Sequence, residues 1–437
     1  MQKARLHNII LVLALSALAF TGCKKDFDNP NETPRDVVFN NPTTAAAAAV
    51  GVQRIYSVGQ QSSLFAIIDA NGLLSNELIL MNAGNIGEFQ FATGGAAVDG
   101  TNNVINNIWS NSSKVIFDAN NVLAYANASP DKAYASGLIA YVSIFKALAI
   151  GNMSMFFEQV PDTIGVENVG FISRNDGYKK AVAVLDHAIN TYNATAPNAT
   201  VLSRLPTDIN FINSLYALKA RYALFSGDYA TALAAANQVT LSSKSLMNFN
   251  AQALNPVYES ATNTNNMFQV VDSTFGLPPA IAPNVNDGRI KFHARIKTST
   301  EANPRWRING FYITGSTGVP IFLPGEIMLI KAEALARQAT PDLDAALTEL
   351  NKVVTKKPDE DIYGVAANLP ALTGPFTKDE LLTEIYRNRS IELYMTGMRL
   401  EDQRRFGRPV TERRRSNLPY PFRERDNNTN IPADPAF

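Results

Sequence analysis

The stretch that most constrains this chain runs from Thr377 to Gly407, TKDELLTEIYRNRSIELYMTGMRLEDQRRFG. Thr377 with Glu380 three residues later forms a capping box, which predicts a helix starting there. Leu381, Leu382 and Ile385 mark an apolar face at helical spacing. Charges then occupy the same side: Arg389, Glu392, Arg399 and Asp402 interleave with Leu393, Tyr394 and Met398. Opposite charges three and seven apart can pair on a helix, so a partly buried face can carry them.

The stretch resembles the C-terminal signature of the SusD/RagB family of nutrient-uptake lipoproteins. Leu381, Leu382, Ile385, Arg389, Glu392, Leu393, Gly397, Arg399, Asp402, Arg405 and Gly407 match its order and spacing. Asn388, Thr396 and Phe406 stand where the family has Glu, Glu and Trp. The resemblance implies that Arg389, Glu392, Gly397, Arg399 and Asp402 hold the fold together and do not form a ligand site.

At the other end, Lys3 and Arg5 precede the apolar run Ile9–Phe20, which reads as a secretory signal over residues 1–22. The run is too short for a stable membrane span. Phe20-Thr21-Gly22-Cys23 is a bacterial lipobox with Phe where Leu is commoner, and Cys23 is the only cysteine in the chain. Acylation at Cys23 would anchor the protein to a membrane; the alternative is an ordinary signal with a chance cysteine. The lipidated N-terminus continues as a polar tether, rich in Pro and Asn, to residue 42.

Residues 43–437 carry no further linker, which predicts a single mostly α-helical domain. With 39 basic and 39 acidic side chains in 437 residues, the chain lacks the basic excess of a nucleic-acid surface. Arg413-Arg414-Arg415 is its one basic run, read as a solvated face or a partner for carboxylates. Helices are expected over Thr43–Val58, Asn103–Ala126 and Lys132–Phe157. Leu64–Leu80 is an apolar stretch holding Asp69 and Asn76-Glu77, where the family often has acidic residues. Met81–Gly100, rich in Gly, Asn and small residues, is expected to be a long loop. Trp109, on a helix, reads as a core residue in preference to a sugar platform.

Asn175–Asn190, Lys219–Val239 and Lys331–Val353 read as repeated helical units. The last two share a Lys-Ala start, Ala-Leu and Asn-x-Val, with Gly227-Asp228 as a turn between helices. These are tetratricopeptide-like helix pairs, each needing neighbours to bury its faces. The units fall near 175–240 and 326–407. Between them, residues 241–324 form an irregular insert rich in Asn, Thr, Gly and Pro, with strand-like runs at Met267–Val271 and Phe311–Thr314. Asn303-Pro304-Arg305 resembles the family's Asp-Pro-Arg, and Leu323–Leu335 resembles the helix that follows it.

Catalytic motifs for metal-dependent proteolysis, serine hydrolysis or phosphate binding are absent from the sequence. His187 beside Asp186 reads as a surface residue, and the chain is expected to be a non-enzyme without cofactor or metal. Paired carboxylates for glycoside cleavage depend on three-dimensional separation and stay open.

The resemblance implies a surface-exposed outer-membrane lipoprotein that captures an oligomeric nutrient, a glycan or a peptide, and hands it to a SusC-like TonB-dependent β-barrel. An inward-facing, lipid-anchored adaptor that binds proteins along its helix repeats is the alternative. Ligand contacts are expected from aromatic and polar residues on loops: Asn85, Glu88, Phe89 and Phe91 in the first, and Phe275, Asp287, Arg289, Trp306 and Tyr312 in the second. For Trp306, which follows a structural motif of the family, core and ligand roles stand level.

Overall fold

The computed structural model describes residues 35–263, 266–297 and 306–437. Cys23, the signal and Asn303-Pro304-Arg305 lie outside the described residues.

Side-chain caps set several of the helix starts. Helix α1 (Pro42–Ser57) begins where Asn41 accepts from the amides of Thr43 and Thr44. It is followed by α2 (Ser63–Leu74), strand β1 (Leu78–Leu80), α3 (Ile86–Thr93), α4 (Asn103–Ala128) and α5 (Lys132–Phe156). Helix α5 is apolar and long enough to cross a membrane, yet most of it is buried against its neighbours. A short ribbon, β2 (Gln159–Pro161) with β3 (Phe171–Ser173), leads to α6 (Arg174–Ala194), α7 (Phe211–Ser226) and α8 (Tyr229–Ala236).

These helices pack in succession: α1 on α4, α4 on α5, α5 on α6, α6 on α7 and α7 on α8. Close approach depends on small residues. A Cβ on Gly151 of α5 would lie 2.2 Å from the Tyr222 ring of α7. The Gly227-Asp228 turn forms as expected: Gly227 ends α7 at φ 83° and Asp228 caps α8 through the Thr231 amide.

The insert carries β4 (Leu246–Met247), β5 (Phe268–Val270), α9 (Gly288–His293), β6 (Ala294–Ile296), β7 (Trp306–Ile308) and β8 (Val319–Pro320). All pairings are antiparallel and two-stranded: β1 with β5, β4 with β8, β6 with β7. The strand expected at Met267–Val271 is β5. Phe311-Tyr312 instead lies in a 3-10 turn, Gly310–Tyr312, its rings turned into the core.

The helical array resumes with α10 (Pro324–Arg337), which packs on α8, then α11 (Leu343–Val354), α12 (Lys378–Glu392) and α13 (Arg399–Arg405). Leu329, Ala332, Ala346, Leu350, Val353, Leu381 and Ile385 form the second apolar core where α10, α11 and α12 meet. The capping box at Thr377 is present in both directions, with Glu380 accepting from the Thr377 amide at 2.8 Å.

The charges after it do not pair along one helix. Helix α12 stops at Glu392, and the chain reverses through Met395 (φ 58°) and Gly397 (φ 82°) before α13. A side chain at Gly397 would also meet Ile67 at 2.4 Å, so only glycine fits. The turn brings Arg389 against Asp402 thirteen residues on, at 2.9 and 3.0 Å. Arg405 also reaches Asp402 at 2.7 Å and grips Glu333 of α10 at 2.8 and 2.9 Å. Glu392 takes Lys356 at 2.7 Å and Arg289 at 3.2 Å, and Arg399 faces Glu77 at 3.2 Å. Burial alone would raise the Asp402 carboxyl, but Arg389 and Arg405 outweigh it and hold it below the usual carboxylate range.

Arg415 is buried and donates to the carbonyls of Gly95, Val98 and Pro435, so this part of the basic run is a structural clamp on the C-terminal tail.

Removing one member of the Arg389–Asp402 pair strands a buried charge. Arg389→Met is expected to lower unfolding free energy by about 3–5 kcal/mol, read from urea denaturation at neutral pH. A loss under about 1 kcal/mol would mean that the pair is dispensable.

Candidate functional site

The structure separates the loop residues singled out by sequence into two groups. Phe91 and Phe275 are completely buried, and Asp287, Arg289 and Tyr312 are buried as well. They pack into the core for identifiable reasons, although Asp287 also lines the insert groove described below. Phe91 lies on the inward side of α3, because Met81–Gly100 is not one long loop but holds that helix and a 3-10 turn. Phe275, at φ 53°, packs on Tyr394 with ring centroids 4.3 Å apart. Asp287 and Arg289 pair with each other at 2.7 and 2.9 Å, and Arg289 reaches on to Asn388. Tyr312 donates its hydroxyl to the Met395 carbonyl at 2.8 Å, securing the α12–α13 turn. Trp109 is likewise a core residue, set among Phe157, Phe171 and Tyr420 with its Nε1 on Glu424 at 3.0 Å.

Asn85, Phe89 and Trp306 remain at or near the surface, whereas Glu88 is buried on the inner side of α3 and only lines the groove described below. Trp306 lines a groove of about 850 Å³ on the insert. Strand alternation puts Trp306 opposite Ile296 on one face of the β6–β7 ribbon, with Arg295 opposite Arg307 on the other. Asn286, Lys291 and Asn368 bring polar groups to the same groove. An aromatic face with amide and cationic groups around it is the composition that sugar rings and hydroxyls require.

Asn85 and Glu88 line a second groove of about 460 Å³ between α2, α3 and α4. Its walls are rich in amides: Gln60, Gln61, Asn103 and Asn107 join Asn85. Phe89, 49% exposed, stands on the outer side of α3. A third depression, of about 320 Å³, shares Arg295 with the first. The amides of this second groove come from three separate segments, so no local pattern in the sequence could have assembled them.

Beneath the second groove lies an unusual pair. Asp69 of α2 is fully buried and lies beside Glu88, with no ion-pair partner among the described residues. Burial, then the Glu88 charge, pushes the Asp69 carboxyl well above the ordinary aspartate range; burial also raises Glu88. A proton on one of the two carboxyls relieves the repulsion between them.

Among the described residues, neither histidine lines one of these grooves. Burial, then Arg289, pushes His293 down to about 3, leaving it neutral among Phe275, Phe292 and Tyr394. His187 is exposed on α6, and its neighbour Asp186 is paired with Lys219.

Sequence comparison matches the chain to no protein-family model and to no curated protein. Structural comparison is different. A SusD homologue from Bacteroides thetaiotaomicron superposes with a TM-score of 0.72 at 13% identity, over 94% of this chain and 100% of that one. A SusD-like carbohydrate-binding protein from Bacteroides fragilis gives 0.64 at 14% identity, over 85% and 87%. A laminarin-binding SusD-like protein gives 0.58 at 16% identity, over 91% and 99%. The chain has the SusD-like fold: mostly helical, with few short strands.

Asp69 makes a signed prediction. Its folded value lies above its unfolded one, so between the two the native state holds more protons and stability falls as pH rises. Asp69→Asn removes that cost and should melt higher than the parent at pH 7, with the gap closing as pH approaches about 4. Thermal melts across that range check it; a lower melting temperature at pH 7 contradicts the assignment.

Proposed function

We propose that this chain is a binding protein of the nutrient-uptake type, which captures an oligosaccharide and delivers it to a SusC-like TonB-dependent β-barrel. One observation carries the reading: superposition on SusD-like carbohydrate-binding proteins extends over nearly the whole chain, not over the helix repeats alone. A generic repeat adaptor would share the helix pairs without the insert. The lipobox ending at Cys23 supports attachment to the outer membrane, and exposure at the cell surface follows from the same reading.

Capture requires no covalent step. A sugar ring stacks on Trp306, and its hydroxyls exchange water for the side chains of Asn286, Asn368 and Lys291. The barrel closes over the enclosed ligand, and differential affinity for the closed state commits it to transport. The buried network keeps the grooves on a rigid support, so little ordering cost falls on binding.

The test is calorimetric titration of the full chain with neutral and acidic oligosaccharides, laminarin fragments among them, and with peptides of similar length. At least one glycan is expected to bind without release of new reducing ends. Trp306→Ala should weaken it about tenfold, roughly the 1.4 kcal/mol of one aromatic contact, with little change in melting temperature. Binding of peptides alone would contradict the glycan assignment, and unchanged affinity in Trp306→Ala would remove the insert groove from the site.

A further inference from the structure

A pocket of about 180 Å³ opens between α4, α5 and α6, away from the insert grooves. Its inner wall is apolar: Ile116 of α4, Ile150 and Met153 of α5, and Ile164 in the β2–β3 connection. Lys146 of α5 reaches into it, on a helix whose other residues are almost all buried.

Lys146 has no hydrogen-bond or ion-pair partner among the described residues. The nearest cation, Lys180 of α6, is already occupied by Asp162, with Nζ 2.8 Å from Oδ1. Burial, then the Lys180 charge, holds the Lys146 amine below the ordinary lysine range. An unpaired, half-buried ammonium is costly, and a methionine or leucine would fill this position without that cost. The β2–β3 connection walls the pocket from outside: Gly165 packs on the Phe117 ring, and the Lys180–Asp162 pair ties the loop to α6.

We infer that this pocket binds a carboxylate carrying a short apolar group, with the carboxylate on Lys146 Nζ and the apolar group against Ile116, Ile150 and Met153. The volume holds about six waters' share of liquid, room for a carboxylate and roughly four to six carbons. Two sources share that chemistry: a free short-chain acid, and the C-terminal residue of a peptide or partner protein. Asn120 and Thr163 also line the pocket and carry donors for the second carboxylate oxygen. The inference is independent of the glycan grooves and stands whether or not they bind sugar.

The test titrates the full chain with hexanoate and with N-acetyl-Ala-Leu carrying a free carboxylate. Hexanol and the dipeptide amide are the uncharged controls. Lys146 is followed by its ε-methylene resonance. At least one acid is expected to bind over ten times tighter than its uncharged control and to move the Lys146 titration upward; the tighter acid identifies the source. Lys146→Met should abolish that preference at an equal or higher melting temperature, because it removes an unpaired charge. Lys146→Gln, which keeps a donor without the charge, should also lose at least tenfold. Absence of binding by both acids, controls that bind equally, or binding that survives Lys146→Met each overturn the inference.

Discussion

Arg389, Asp402, Arg405 and Glu333 form the junction on which the C-terminal half depends. Two acidic groups sit between arginines from α12 and α13, and Glu333 brings in α10 and its own neighbour Arg337 at 2.8 Å. Such pairs contribute little net stability against a well-packed apolar core, because desolvation consumes most of the attraction. What they do is penalise every arrangement that leaves one partner unmatched. Only one angle between α12 and α13 satisfies Arg389 and Arg405 together, and that angle needs the left-handed Gly397. Glu392 extends the same logic outward: it collects Lys356 and Arg289, and a Cβ on Gly325 would overlap its carboxylate at 1.9 Å. The junction therefore reaches from α10 through α12 to the insert.

That reach matters for function. The insert is made of two-stranded ribbons and turns, which have too little core to hold a shape alone. Arg289, at α9, is tied to Asn388 and Glu392 of α12, while Arg399 of α13 donates to the Phe275 carbonyl. The Trp306 groove thus rests on segments fixed from below by charges. A binding face of this kind can vary its surface residues while its support stays unchanged, which is how one fold serves different ligands.

Much of the scaffold was legible because helices announce themselves locally. Caps at Thr377 and Asp228, the Gly227 turn, and apolar spacing along Asn103–Ala128 and Lys132–Phe156 need only nearby residues. The site was less legible, for a physical reason. Sequence shows that Phe275, Arg289 and Tyr312 lie in an irregular segment, but not that their partners are Tyr394, Glu392 and the Met395 carbonyl, about a hundred residues away. Arg389 and Arg399, read as charges on one helix face, instead pair across the α12–α13 turn and with distant Glu77. Glycine and asparagine in Met81–Gly100 suggested a loop; tertiary packing of Phe91 overrides that weak helix propensity. The amides of the second groove converge only once α2, α3 and α4 are packed. Trp306, whose two readings stood level, lies partly exposed on a groove.

The central claim is that the protein works as the capture partner of an outer-membrane barrel. Gentle affinity purification of a tagged copy from its native membrane tests this most directly. The account predicts one large β-barrel protein in roughly equal amount, retained in mild detergent. Recovery without any barrel, with other proteins in its place, would contradict it and favour an adaptor role for the helix array.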